Sequence, residues 1–303
     1  MELLFEKNRK NMKAFKGYFA KDALWIKLLL VLFFLLIGMV VGSALSLPIN
    51  TGNEVRDILY GQFVASNFTF VVSALLIAYL VKNDDENFFQ DNRFPSFSML
   101  IYGVCFLIFL MPLVELTTFW NEKLVLPDFL HKLETTIRSL EDEAMEITAM
   151  IINRKGEYAL LSNVFFLALV PAISEEIFFR GTLQQIFHKH CSPGVSIWVT
   201  AIIFSAFHFQ FYGFVPRVLL GAMLGYLFYY GRSIYLSILI HFCNNAMAVI
   251  VGSIIGFDST TQQMPGIDTT ALYSSVLFSF PIVIVIFLAM RREFRLREKN
   301  DEN

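Results

Sequence analysis

The chain has 303 residues, 56% of them hydrophobic and only 17% charged, with 33 Phe and a mean hydropathy of +0.57. Soluble domains carry about 45–50% apolar and about 25% charged residues, which excludes a disordered chain, a soluble enzyme of ordinary composition and a nucleic-acid binder. The formal charge of −2 offers no dominant basic surface, and the class that remains is an all-α, polytopic membrane protein.

A bilayer core needs about 20 apolar residues in helix. Eight stretches are read as spans: 24–47, 59–81, 97–119, 158–187, 194–211, 214–230, 233–255 and 271–290. Lys7, Arg9, Lys10, Lys13, Lys16, Lys21 and Lys27 precede or open the first. That stretch is too long for the core of a cleaved signal peptide, so it reads as a retained anchor. Residues 83–92 form a short polar loop. With the N-terminus inside, the inner segments hold 17 Lys and Arg and the outer segments 7. This bias predicts that both termini are cytoplasmic.

Between the third and fourth spans, Leu130, Leu133, Ile137, Leu140, Ala144 and Ile147 recur at spacings of three and four. The pattern predicts one amphipathic interfacial helix over 128–151 with an acidic opposite face. Such a helix lies on the membrane surface, packs on the bundle, or serves as a lid or docking element. Pro171 predicts a kink in the fourth span. Gly213, Gly221 and Gly225 predict close helix packing. Trp25 and Trp120 read as interface anchors. Cys105, Cys191 and Cys243 are far apart and form no CxxC, which supports neither a disulfide framework nor a thiolate metal site.

Charged side chains inside a span cost at least about 2.5 kcal/mol each on insertion scales and mark function by default. The fourth span carries Ser174-Glu175-Glu176 and Arg180, the fifth His208, and the seventh His241 and Asn245. Glu176/Arg180 and His241/Asn245 are i, i+4 pairs, so each shares a helix face. At about 1.5 Å per residue from His188, Pro193 and Arg232, Glu175, His208, His241 and Asn245 fall about 14–22 Å along their helices. One buried constellation would produce such levelling. A carboxylate can take a proton from water, an imidazole can share that water or bind a metal, and a second His with an Asn can donate to an oxyanion. Glu175, His208 and His241 could alternatively ligate zinc. Glu176 with Arg180 fits a buried pair that locks one helix register.

Glu175-Glu176-Ile-Phe-Phe-Arg180 resembles an EExxxR motif, Phe204-Ser-Ala-Phe-His208 resembles FxxxH, and His241-Phe-Cys-Asn-Asn245 resembles HxxxN. In order and spacing they resemble the CPBP intramembrane protease family, which includes type II CAAX prenyl endopeptidases and the Abi bacteriocin-immunity proteins. The resemblance covers about 158–255, between an N-terminal part (1–157) and a final span with a basic tail (256–303). It implies an intramembrane endopeptidase of a bacterial inner (plasma) membrane acting on a peptide or membrane-anchored protein near the cytoplasmic face. By that resemblance Glu175 and His208 activate water, His241 and Asn245 hold the oxyanion, and Glu176 with Arg180 braces the site. The mechanism is either glutamate-type or zinc-dependent. The competing expectations are a proton-coupled transporter and a non-catalytic immunity or binding protein.

Overall fold

The computed structural model describes residues 15–81, 94–257 and 268–301; the polar loop expected at 83–92 lies outside the described residues. Those residues form helices and no strand. In chain order they are α1 (Leu24–Ser46), α2 (Glu54–Val81), α3 (Phe97–Glu122), α4 (His131–Ile152), α5 (Ala159–His188), α6 (Pro193–Ala206), α7 (Phe214–Gly231), α8 (Ile234–Ile255) and α9 (Thr269–Asp301). Among the described residues seven helices are long and apolar enough to cross a membrane: α1, α2, α3, α5, α7, α8 and α9.

The fifth expected span is the exception. Helix α6 has 14 residues and ends at Ala206, so it rises about 20 Å against a core of about 30 Å. Its continuation to 211 is replaced by a non-helical connection, 207–213. Phe209 takes a left-handed backbone with φ 52°, which interrupts the right-handed helix, and Pro216 sits in the first turn of the next one. His208 therefore lies beyond the helix, and the along-helix measure of its depth does not apply to it.

The chain divides into two compact units, Met1–Asn92 with Ile173–Ser196, and Arg93–Ala172 with Ile197–Asn303. In the first, α1 packs on α2 at very short range. A methyl group on Gly38 would lie 2.5 Å from the Phe68 carbonyl oxygen, and one on Gly42 2.9 Å from Ala65 Cα. Ser73 Oγ adds a 2.7 Å hydrogen bond to the Phe34 carbonyl across the same seam. Phe70 of α2 lies 5.7 and 5.8 Å, centroid to centroid, from Phe178 and Phe179 of α5.

In the second unit, Met99, Phe106, Leu107 and Leu110 of α3 pack with Met223, Leu224 and Leu227 of α7, Leu236 and Ile240 of α8, and Ile286 and Met290 of α9. A Cβ on Gly221 would stand 3.2 Å from Ala201, the close approach expected for that glycine. Helix α4 also belongs here, with Asp142, Glu143 and Glu146 exposed and Ile151 and Ile152 buried, but two of its acids are turned inward. Leu133, Leu140 and Ile147 are exposed, whereas Glu134 and Glu141 are buried. The two carboxylates are drawn inward by donors: the Leu126 amide, Arg138 and the Tyr212 hydroxyl for Glu134, and the Tyr212 amide for Glu141.

Candidate functional site

The acidic part of the site is built by α5 in the first unit. Pro171 has no N–H for the Leu167 carbonyl, and its ring crowds that group. The helix responds by widening into a π turn at Val164–Leu169, where the Val170 N–H bonds to Phe165 O, five residues back. A second π turn, Phe179–Gln184, follows the carboxylates. Local π turns of this kind concentrate at functional positions; the sequence carried the proline as a warning of the first and no signal for the second.

Between the two π turns, Glu175 and Glu176 point about 100° apart, as successive helical residues must, and their surroundings differ accordingly. Glu176 and Arg180 are both fully buried, with Arg180 Nη1 donating to Glu176 Oε1 at 2.7 Å. This ion pair ties the second π turn to the helix before it. Glu175 is partly exposed. Its Oε2 is nonetheless buried; a carboxylate committed to a buried guanidinium, as that of Glu176 is, exchanges a proton only at high cost.

The imidazole part belongs to the second unit. Phe204, buried on the last turn of α6, stands between the two histidines. Its ring centroid lies 4.9 Å from that of His208 and 5.9 Å from that of His241, edge-on to both. His208 Nδ1 donates to the Phe204 carbonyl at 2.9 Å. A carbonyl only accepts, so the neutral ring carries its proton on Nδ1 and its lone pair on Nε2. His241, 5% exposed, sits on α8. One turn further, Asn245 Oδ1 accepts from Asn244 Nδ2 at 3.1 Å. With its oxygen engaged, the group that Asn245 can offer a ligand is its NH2 donor. Asn244 and Phe204 thus orient site residues, although the residue pattern assigned neither of them a role. Phe204 opens the FxxxH motif, but the motif gives its ring no task.

The structure thus brings Glu176 to Arg180 in one unit, and groups His208, His241 and Asn245 around Phe204 and Asn244 in the other. Among the described residues, no three His, Cys, Asp or Glu side chains gather to hold a metal ion. The set expected for zinc, Glu175, His208 and His241, is divided between the two units.

Residues 157–247, under a third of the chain, match the family model described as Rce1-like, type II CAAX prenyl endopeptidase Rce1-like. All three motifs fall inside the matched segment. No curated protein matches the chain, and no solved structure does.

Proposed function

We propose that this protein is an intramembrane endopeptidase whose water is activated by Glu175 and His208. The observation that carries the reading is that EExxxR, FxxxH and HxxxN, in that order, all lie within the Rce1-like segment 157–247. The side-chain environments within each unit support it: a partly exposed Glu175 beside an ion-paired Glu176, an imidazole whose Nδ1 is engaged by a carbonyl, and an Asn245 whose oxygen is engaged by Asn244.

In this mechanism the Glu175 carboxylate takes a proton from water while His208 Nε2 accepts that water's second hydrogen bond. The oxygen adds to the scissile carbonyl carbon, and the carbonyl π electrons move onto its oxygen. His241 and Asn245 donate to that oxyanion, where donors aimed at developing charge are most effective. Collapse of the tetrahedral centre breaks the C–N bond, and Glu175 returns the proton to the leaving amine. Glu176 and Arg180 take no proton; they fix the helix that carries Glu175. The mechanism requires the two groups to meet at one water, within hydrogen-bond reach of about 3 Å on each side.

The substrate class follows from the Rce1-like likeness: a peptide with a prenylated C-terminal CaaX sequence, or a membrane-anchored peptide entering from the bilayer. The test incubates the detergent-purified protein with a prenylated CaaX peptide and a panel of transmembrane peptides. Wild type cleaves at one bond, while Glu175→Gln and His208→Ala do not. Proton flux in liposomes without cleavage overturns the reading, as does cleavage that survives Glu175→Gln. Chelation followed by zinc decides the metal alternative: unchanged cleavage supports the carboxylate mechanism, and loss restored by zinc replaces it.

A further inference from the structure

His208 lies on the short connection 207–213, and that connection is held by residues far from every motif. Asn121, at the end of α3, grips it at two points. Its Nδ2 donates to the Phe211 carbonyl at 2.9 Å, and its Oδ1 accepts the Val215 N–H at 2.9 Å. From α4, Glu141 Oε1 accepts the Tyr212 N–H at 3.0 Å. Glu134, two helical turns earlier, accepts the Tyr212 hydroxyl at 3.1 Å and the Leu126 N–H at 3.0 Å. Arg138 donates to Glu134 and lays its guanidinium 3.9 Å from the centre of the Tyr212 ring.

Asn121, Glu134 and Glu141 are at most 7% exposed, and Tyr212 is 3% exposed. The chain is built this way for a reason visible at Phe209. A large side chain in a left-handed backbone, φ 52°, persists only where its surroundings over-determine it. Four groups on two helices do so here. An apolar residue would fill the space of Glu141 without the desolvation a buried carboxylate demands. Only an acceptor, however, can hold the Tyr212 amide, which would otherwise be buried unsatisfied.

We propose that Asn121, Glu134 and Glu141 are positioning residues that keep the 207–213 connection, and through it His208 Nε2, aimed at the reacting water. The catalytic part of this inference rests on the peptidase reading above. All three lie before residue 157, outside the Rce1-like segment, so the N-terminal part of the chain completes the site rather than merely anchoring it.

The experiment uses the full chain in detergent and reads hydrogen exchange over 207–213 together with steady-state cleavage. In Glu141→Ala, exchange over 207–213 rises at least about ten-fold while α7 and α8 keep their protection. Cleavage loses about 10- to 100-fold in kcat with KM held within about two-fold, as expected for a reacting group displaced by about 1 Å. Glu141→Gln, which still accepts the Tyr212 amide through its carboxamide oxygen, restores both. Tyr212→Phe removes one hydroxyl and loosens the connection by a smaller factor, and it carries the test if Glu141→Ala does not fold. Unchanged exchange in Glu141→Ala or Tyr212→Phe overturns the proposal, and so does faster exchange with unchanged kcat. If wild type cleaves nothing, the peptidase reading falls, and exchange alone decides the brace: loosening upholds it and no change removes it.

Discussion

Two adjacent carboxylates of opposite duty define the residue scale. Glu176 and Arg180 are both fully buried and 2.7 Å apart. Deleting one partner of such a pair strands the other and costs about 3–5 kcal/mol. Glu176→Gln and Arg180→Met are therefore expected to lower the thermal midpoint in detergent sharply. Replacing both together costs less than the two single changes added. Glu175→Gln, at a partly exposed position, is expected to hold stability within about 0.5 kcal/mol while abolishing cleavage; an equal loss of stability would assign Glu175 the same structural duty as its neighbour. Asn245→Ala removes one oxyanion donor and is expected to cost about 10²–10³-fold in kcat. Asn244→Ala leaves Asn245 in place but frees its oxygen, and kcat falls by less, with KM unmoved. These residues were legible because charge and carboxamide stand out in apolar runs. The tasks of their helpers were not: Asn244 stands beside Asn245 and Phe204 opens the FxxxH motif, each without a task until the ring and amide contacts appear.

At the scale of elements, packing explains both the robust and the fragile parts of the design. Helices α1 and α2 approach so closely at Gly38 and Gly42 that an added Cβ would strike backbone atoms at 2.5–2.9 Å. Gly38→Leu is expected to destabilise by at least the 1–3 kcal/mol typical of overpacking, read as a drop in thermal midpoint. Gly61→Ala is the control, because its nearest neighbour would be Ser46 Cβ at 3.5 Å. Helix α4 shows why the amphipathic pattern was legible and its orientation was not. Periodicity reports that a stripe exists, whereas which side is buried depends on whether oil or water lies outside. Glu134 also gives α4 a pH response. Hydrogen bonds from Arg138 hold the Glu134 carboxyl below its ordinary value of 4.5, with the Leu126 amide, the Tyr212 hydroxyl and the Arg138 charge adding to the effect and burial opposing it. A carboxyl lowered by folding stabilises above its unfolded value and loses that contribution as pH falls through the folded one. Slow exchange over 207–213, corrected for intrinsic rates, is therefore expected to persist as pH falls to about 4.5 and to weaken only below it.

For the whole molecule, the unsettled quantity is parity, and it turns on α6. Seven long helices alone would put the termini on opposite sides. Yet the segment 7–27 carries seven Lys and Arg, and 291–299 carries five, and the positive-inside rule places both in the cytoplasm. The two statements agree if α6 and the 207–213 connection together make an eighth crossing, the finer count that the sequence suggests. Non-helical backbone is tolerated at membrane depth only where protein satisfies its polar groups. Several polar groups of the connection and of the residue after it are held in this way: the carbonyl of Gln210 accepts from Arg217, that of Phe211 from Asn121, and that of Phe214 from Ser205, while the Tyr212 amide is held by Glu141. A 14-residue helix followed by seven residues so satisfied can do what a 20-residue helix does, and can place His208 inside the bilayer without burying it in helix. Single cysteines introduced at Lys13 and Lys299 in a background lacking Cys105, Cys191 and Cys243 are expected to react with an impermeant maleimide only after the inner face is opened. A cysteine at Asn50 is expected to react before. Labelling of positions 13 and 299 from opposite sides would show that α6 turns back within the membrane. His208 would then be reached from the face by which α6 enters.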